Sequence, residues 1–401
     1  MRQPNAAALA SNPFFATAQQ RLALARERYF EDGVRPSGLV SEAVIQSWHR
    51  CLQAGQDPAD RVAFNPVTAS RLHGVLGRNR QLLEAAHAEL CQLQATLAGT
   101  TGTAILTDAQ GVVVGSTFTY ERAHEVILPL GARVGVSLAE EAVGTTAPGI
   151  TARTGQASIV QGCEHFFNPV QVMHCAAAPI HDVHGELAGV LDVSSEHLPF
   201  TFDAASLVGL YSTAIENRLL CAQSTEHLVV QMQVSPALLE TPLAGLAGIA
   251  SSGRIDWVNG AAARLLGLPA QRRAGTDLEV EAVFGHSVAT FATLARRATA
   301  TPMQLPNGLM VWVRGRMQAP DGAAVVHGVA LPGTSAADGE AKAAVAAAPV
   351  PAAPAPGTLR EVDHQVVAQT VAACGGNVSK AARRLGVSRG LIYRHLKQSA
   401  A

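Results

Sequence analysis

The sequence predicts an α+β chain, with two α+β units set between an N-terminal helical region and a C-terminal all-α helix-turn-helix. Three observations carry this. Apolar residues recur at helical spacing from residue 10 to about 98. Strand–turn–strand patterns then appear at 104–114, 176–193 and 246–259. Finally, the stretch 376–397 sets Ala382, Gly386 and Ile392 where two short helices need them to cross at a tight turn.

Residues 16–30 and 41–51 read as amphipathic helices. Ser41 is placed to cap the second, and Gly55 with Pro58 to end it. Residues 71–97 read as one long helix with Leu72, Leu76, Leu83, Leu90, Leu93 and Leu97 at helical spacing. That stripe suits a dimer seam and an ordinary core face equally. From 103 the pattern turns to strands. Residues 104–114 carry an Asp-Ala-Gln-Gly turn and 176–193 an Asp-Val-His-Gly turn, with a short strand at Ile159 and Val160 between them. Residues 202–220 form a closing helix. A further unit starts near Leu238, with strand–turn–strand over 246–259, a helix at 260–266, and late strands at 310–317 and 323–331. Residues 332–357 are rich in Ala, Pro and Gly, offer little to bury, and read as a linker.

The closing segment is basic. From Thr358 onward, seven Lys and Arg stand against two carboxylates, a net +5, in a chain whose formal charge is −1. Charge gathered in one terminal module is the footprint of phosphate contacts, so double-stranded DNA is the expected partner. Asn377 stands near the cap of the first helix, which carries Lys380, Arg383 and Arg384. Ser388 opens the second helix. Arg389, Gly390, Tyr393 and Arg394 are placed to reach bases or phosphates, and Lys397 a phosphate.

Composition excludes several classes. No run of about twenty residues is apolar throughout, so no membrane span is expected. The N-terminus has no h-region of the kind a secretory signal carries. The six cysteines (Cys51, Cys91, Cys163, Cys175, Cys221, Cys374) include no Cys-x-x-Cys pair; reduced thiols and a cytoplasmic location are expected. There is no Gly-x-Ser-x-Gly elbow and no carboxylate pair at informative spacing, so an enzyme is not expected. Cys163, His165, His174, Cys175, His181 and His184 crowd together, but their spacing matches no closed metal site. Neither metal nor cofactor is expected.

Several motifs resemble the acetoin-catabolism-type regulators, a branch of the bacterial enhancer-binding activators. Ser47-Trp48-His49-Arg50-Cys51 with Gly55 and Asp57-Pro58 looks like their N-terminal signature. Residues 140–147 (Glu-Glu-Ala-Val-Gly-Thr-Thr-Ala), Glu164-His165-Phe166, 175–180 and 189–192 look like their GAF domain. Gly253-Arg254-Ile255, Asn259 and Leu265-Leu266-Gly267 look like a PAS domain, and the tail resembles a Fis-type helix-turn-helix. The resemblance implies an N-terminal helical region (1–78), a GAF sensory domain (79–222), a PAS-like domain (238–331), the linker (332–357) and the DNA-binding domain (358–401). It also implies a small organic effector in the GAF unit, near Glu164, His165, Phe166, His174 and Cys175, with a GAF that only dimerises as the alternative. A homodimer follows from the Fis likeness, through a helix over 359–373. The departure is the motor: that family places an AAA+ ATPase between sensor and DNA reader, and no Gly-x-x-x-x-Gly-Lys-Ser/Thr loop occurs here. A sensor joined directly to a DNA reader is left to occlude a promoter, recruit RNA polymerase, or work through protein contacts with a related full-length activator.

Overall fold

The computed structural model describes residues 17–118, 124–268, 274–297 and 299–317, together with Val378. The predicted strand at 323–331, the linker and the helix-turn-helix, including Asn377, Lys380, Arg383, Arg384, Ser388, Arg389, Gly390, Tyr393, Arg394 and Lys397, lie outside the described residues.

Four helices open the described chain: α1 (Ala18–Phe30), α2 (Glu42–Gln53), α3 (Ala69–Arg78) and α4 (Arg80–Leu97). Ser41 caps α2 by accepting the Val44 amide. The expected single helix over 71–97 is instead two. Asn79 takes φ −94°, ψ 16° at the junction, and its side-chain amide donates to the Val75 carbonyl at 2.9 Å. An asparagine that bonds its own backbone, preceded by Gly74 and Gly77, ends a helix that apolar spacing alone would continue.

Five strands follow: β1 (Thr103–Asp108), β2 (Val113–Ser116), β3 (Ser158–Gln161), β4 (Met173–His181) and β5 (Leu187–Glu196). They form an antiparallel sheet in the order β2-β1-β5-β4-β3. Between β2 and β3 run the short helices α5 (Leu128–Gly131), α6 (Glu140–Val143) and α7 (Ala147–Thr154). The β1–β2 turn closes because Asp108 Oδ1 accepts the amides of Gln110 and Val112 while Gly111 adopts φ 78°. Asp182 holds the β4–β5 turn in the same way, through His184 and Glu186.

Side chains alternate across this sheet, and its two faces meet different helices. Ala104, Leu106, Ala176, Ala178, Leu191 and Val193 pack against α4 and the long α8 (Ala204–Gln223). Leu82, Leu93 and Leu97 are buried there, and Leu76, Leu83 and Leu90 pack against them, so this part of the leucine stripe serves the chain's own core. On the opposite face Ile105, Cys175, Ala177 and Val190 share one core with Leu22, Val44, Ile45 and Trp48 of α1 and α2. The N-terminal helices therefore complete the first α+β unit and form no separate layer.

The second sheet runs β10-β11-β6-β7-β8-β9, from β6 (Leu228–Gln233), β7 (Gly245–Ile249), β8 (Arg254–Val258), β9 (Ala274–Glu279), β10 (Thr301–Gln304) and β11 (Met310–Met317). Helices α9 (Gly260–Leu266), α10 (Val280–Phe284) and α11 (Val288–Ala295) accompany it, and Phe284 and Phe291 fill its core. This unit begins ten residues before the expected Leu238, at β6, which lies between β11 and β7. Trp257 packs with Leu220 of α8 and Leu246, joining the two sheets. Asn259, which caps α9, also donates to Asn217 Oδ1 of α8 at 2.8 Å. Among the described residues no helix is long and apolar enough to cross a membrane.

Candidate functional site

Beneath α5, α6 and α7 the first sheet leaves a cavity of about 40 Å³. Its wall is apolar, with Ile105, Leu128, Leu138, Val143 and Met173, and its polar edge is His165, Cys175 and Ser194. A volume near 40 Å³ holds roughly three water-sized particles, far below the hundreds of Å³ of a drug-sized pocket. A ligand that enters this form without rearrangement is very small and mostly apolar.

The polar edge is a connected chain. His165 Nδ1 lies 3.1 Å from the Gly162 carbonyl, and Nε2 lies 3.6 Å from Cys175 Sγ. A carbonyl oxygen only accepts, so Nδ1 carries the proton and Nε2 accepts from the thiol. Ser194 Oγ is 3.1 Å from the same sulfur and 2.6 Å from Asp192 Oδ2. The remaining Asp192 oxygen, Oδ1, is buried without a hydrogen-bond partner. Burial raises the Asp192 carboxyl to about 7. Burial also lowers His165 to about 4 and pushes the Cys175 thiol well up, helped by the Asp192 charge and opposed by the Ser194 hydroxyl and the Ala147 amide. The resting pair is thus neutral thiol and neutral imidazole. Ser194 has one proton and two acceptors: an ionised Asp192 takes it, whereas a protonated Asp192 donates to the serine and leaves the serine proton for sulfur.

The N-terminal helices close the site from outside. Ser47 Oγ meets Thr145 Oγ1 at 2.7 Å, and the Trp48 indole donates to the Glu164 carbonyl at 2.7 Å. Arg50 clamps the buried Glu140 through two bonds of 2.7 Å. Arg26 donates to the carbonyls of His165 and Phe166. On the other side Glu196 accepts the amides of Val126, Ile127 and Leu128, fixing the segment that brings Leu128 to the cavity. Glu140, Glu196, Ser194 and Asp192 did not stand out in the sequence as cavity or closure residues. The alternation of β5 was the available signal, since it sets Asp192 and Ser194 on the face of Cys175.

Of the five residues expected at an effector site, the structure brings His165 and Cys175 together on the cavity wall. The other three lie elsewhere. Glu164 closes its own turn by accepting the Gln161 amide at 2.8 Å, and burial raises its carboxyl to about 7. Phe166 packs edge-on against Phe30 and Phe167. His174 precedes Cys175 on β4, and neighbours on a strand face opposite ways, so both cannot line one cavity. Among the described residues no three His, Cys, Asp or Glu side chains gather closely enough to hold a metal ion; His181 pairs with Glu216 at 3.0 Å instead.

A wider cleft of about 620 Å³ opens where α4 and α8 meet the second sheet. Arg218 pairs with Glu89 there, while Arg316 shares Glu240 with Arg314. The smaller, apolar cavity, which brings together His165 and Cys175, is the candidate site.

Gly144 supports that site. It takes φ 68°, ψ −154° at the end of α6, a region reserved for glycine, and a Cβ there would lie 2.9 Å from the Phe167 ring. Gly144→Ala is expected to destabilise the fold by about 1–3 kcal/mol from backbone strain alone, read as a lowered urea midpoint.

Residues 16–203 match the family model of the MimR N-terminal domain, and residues 358–398 that of the bacterial regulatory proteins of the Fis family. The acetoin catabolism regulatory protein of Cupriavidus necator is 30% identical over 223 residues, 54% of this chain and 33% of that protein. The acetoin dehydrogenase operon transcriptional activator AcoR of Bacillus subtilis is 29% identical over 168 residues, 42% of this chain and 28% of that protein. The chain thus spans about a third of the length of these curated relatives. Among solved structures, that of the Escherichia coli DhaR(N)-DhaL complex covers 68% of this chain and 98% of the matched chain, at 16% identity and a TM-score of 0.43.

Proposed function

We propose that this chain, homologous to the acetoin-catabolism-type transcriptional regulators and carrying a MimR-type N-terminal domain and a Fis-type helix-turn-helix, is a ligand-responsive regulator of small-molecule catabolism. It is a DNA-binding protein of the cytoplasm, not an enzyme. One observation carries the reading: a small apolar cavity with a polar edge at His165, Cys175 and Ser194 lies in the same chain as a basic Fis-type reader. A small, uncharged molecule with one or two oxygen functions, such as an alcohol, an aldehyde or a ketol, fits that chemistry. With no phosphate loop in the sequence, the output is promoter occupancy set by ligand state, without ATP. The reader acts as a homodimer on a palindromic site with half-sites about one helical turn apart.

Gel shifts on the DNA upstream of its own gene and its neighbours test this. Arg389→Ala is expected to weaken binding by about 1–3 kcal/mol and relax preference at one base position. Lys397→Ala is expected to weaken binding on all sequences alike and flatten the salt dependence. Equal effects from both substitutions contradict the assignment. A second reading, an auxiliary protein acting on a related full-length activator, draws on the chain's one-third coverage of its relatives. Unaltered promoter control after Arg389→Ala favours that reading.

A further inference from the structure

We propose that Cys175 is a covalent capture point: its thiol adds reversibly to the carbonyl carbon of a small aldehyde or ketone held in the cavity, and His165 moves the proton. This rests on reading the cavity as the effector site. A core cysteine that only fills space needs no polar company, whereas this sulfur has two polar side chains against it. His165 Nε2 stands at 3.6 Å with its lone pair toward the thiol, because Nδ1 is committed to the Gly162 carbonyl. Ser194 Oγ stands at 3.1 Å. A base on one side and a donor on the other are what a thiol needs to act as a nucleophile. Asp192 supplies a separate indication. It is fully buried on the same strand face, two residues from Ser194, and its Oδ1 is an acceptor without a partner.

The step balances without a co-reactant. A bond forms between Sγ and the carbonyl carbon as the C=O π pair moves onto oxygen. The S–H proton passes to His165 Nε2 and from there to the new alkoxide, giving a neutral hemithioacetal. No group leaves and nothing is oxidised or reduced. While the charges develop, the Ser194 hydroxyl turns to the alkoxide. Because the resting thiol and imidazole are both uncharged, the sulfur is a weak nucleophile until a carbonyl is in line with Nε2. Reaction then depends on fit, and the cavity of about 40 Å³ selects molecules near the size of acetaldehyde.

The test uses the full chain with acetaldehyde labelled at the carbonyl carbon with ¹³C, and ethanol as a ligand of similar size with no carbonyl. Carbon NMR reads whether the bound carbon is trigonal or tetrahedral, and calorimetry reads binding of both. The proposal expects a protein-bound tetrahedral resonance that is lost in Cys175→Ser and in Cys175→Ala, the second variant guarding against one that fails to fold. In His165→Gln the resonance should grow at least tenfold more slowly. Bound acetaldehyde whose carbon stays trigonal, or a tetrahedral signal that survives both Cys175 substitutions, overturns covalent capture. Ethanol binding in either case leaves the cavity as an effector site. Binding of neither probe overturns the effector reading and the capture together.

Discussion

Trp48→Ala is expected to destabilise the first α+β unit by about 3–5 kcal/mol, the range for removing a fully buried indole. Trp48 is wholly buried, and its ring lies 5.3 Å from that of Tyr29 and 5.1 Å from that of Phe30. Its Nε1 donates to the Glu164 carbonyl in the turn that carries His165. Alanine leaves a cavity between α1, α2 and the sheet and takes away that carbonyl's indole donor. Because α1 and α2 share the core behind the cavity, the loss falls on the site as well as on the fold. Urea unfolding followed by far-UV circular dichroism measures it. A change below 1 kcal/mol contradicts the packing described here.

The second large effect is a pH dependence. The Asp192 carboxyl is raised to about 7 in the folded chain, against about 3.9 unfolded. Below pH 4 both states hold the proton and the group contributes no difference. Between 4 and 7 the unfolded chain ionises while the folded chain keeps its proton, so stability falls as pH rises, by about 1.4 kcal/mol per unit. Above 7 the loss is complete, about 4 kcal/mol in total. Asp192→Asn keeps the shape and removes the titration. Burial acts on Glu164 in the same direction as on Asp192 and on His165 in the opposite one, but both chains carry those groups and they cancel in the comparison. From pH 5 to pH 8 the variant is expected to gain about 3 kcal/mol on the unsubstituted chain. A gap that does not change with pH contradicts a neutral Asp192.

How much of this was legible depended on how local the signal was. Ser41 as a cap and the Asp108–Gly111 turn are short-range chemistry, and the structure forms both. The helix break at Asn79 was hidden because apolar spacing runs through it, while the decision is made by one side-chain bond. Strand β6 is hard to read because Leu228–Gln233 is short, although Ser235-Pro236 marks its end; what fixes it is pairing with β7 and with β11, far along the chain. His165 and Cys175 were visible as chemistry but not as partners. Their meeting needs the 3₁₀ turn at Gly162–Glu164 to fold back on β4. His174 was included for its neighbourhood in sequence, which a strand converts into opposite faces. The role of the N-terminal helices in closing the cavity rests on long-range pairs such as Arg50 with Glu140, which no spacing rule reveals.

In the proposed mechanism, ligand in the cavity sets DNA occupancy without a motor. It is tested most directly by a gel-shift titration of the full chain on its own upstream DNA, with and without acetoin, ethanol and acetaldehyde, in buffer free of nucleotide. A change of at least fivefold in apparent Kd with one of these ligands, unchanged on adding ATP, is the expected result. Affinity that none of them alters, or that responds only when ATP is present and hydrolysed, contradicts it.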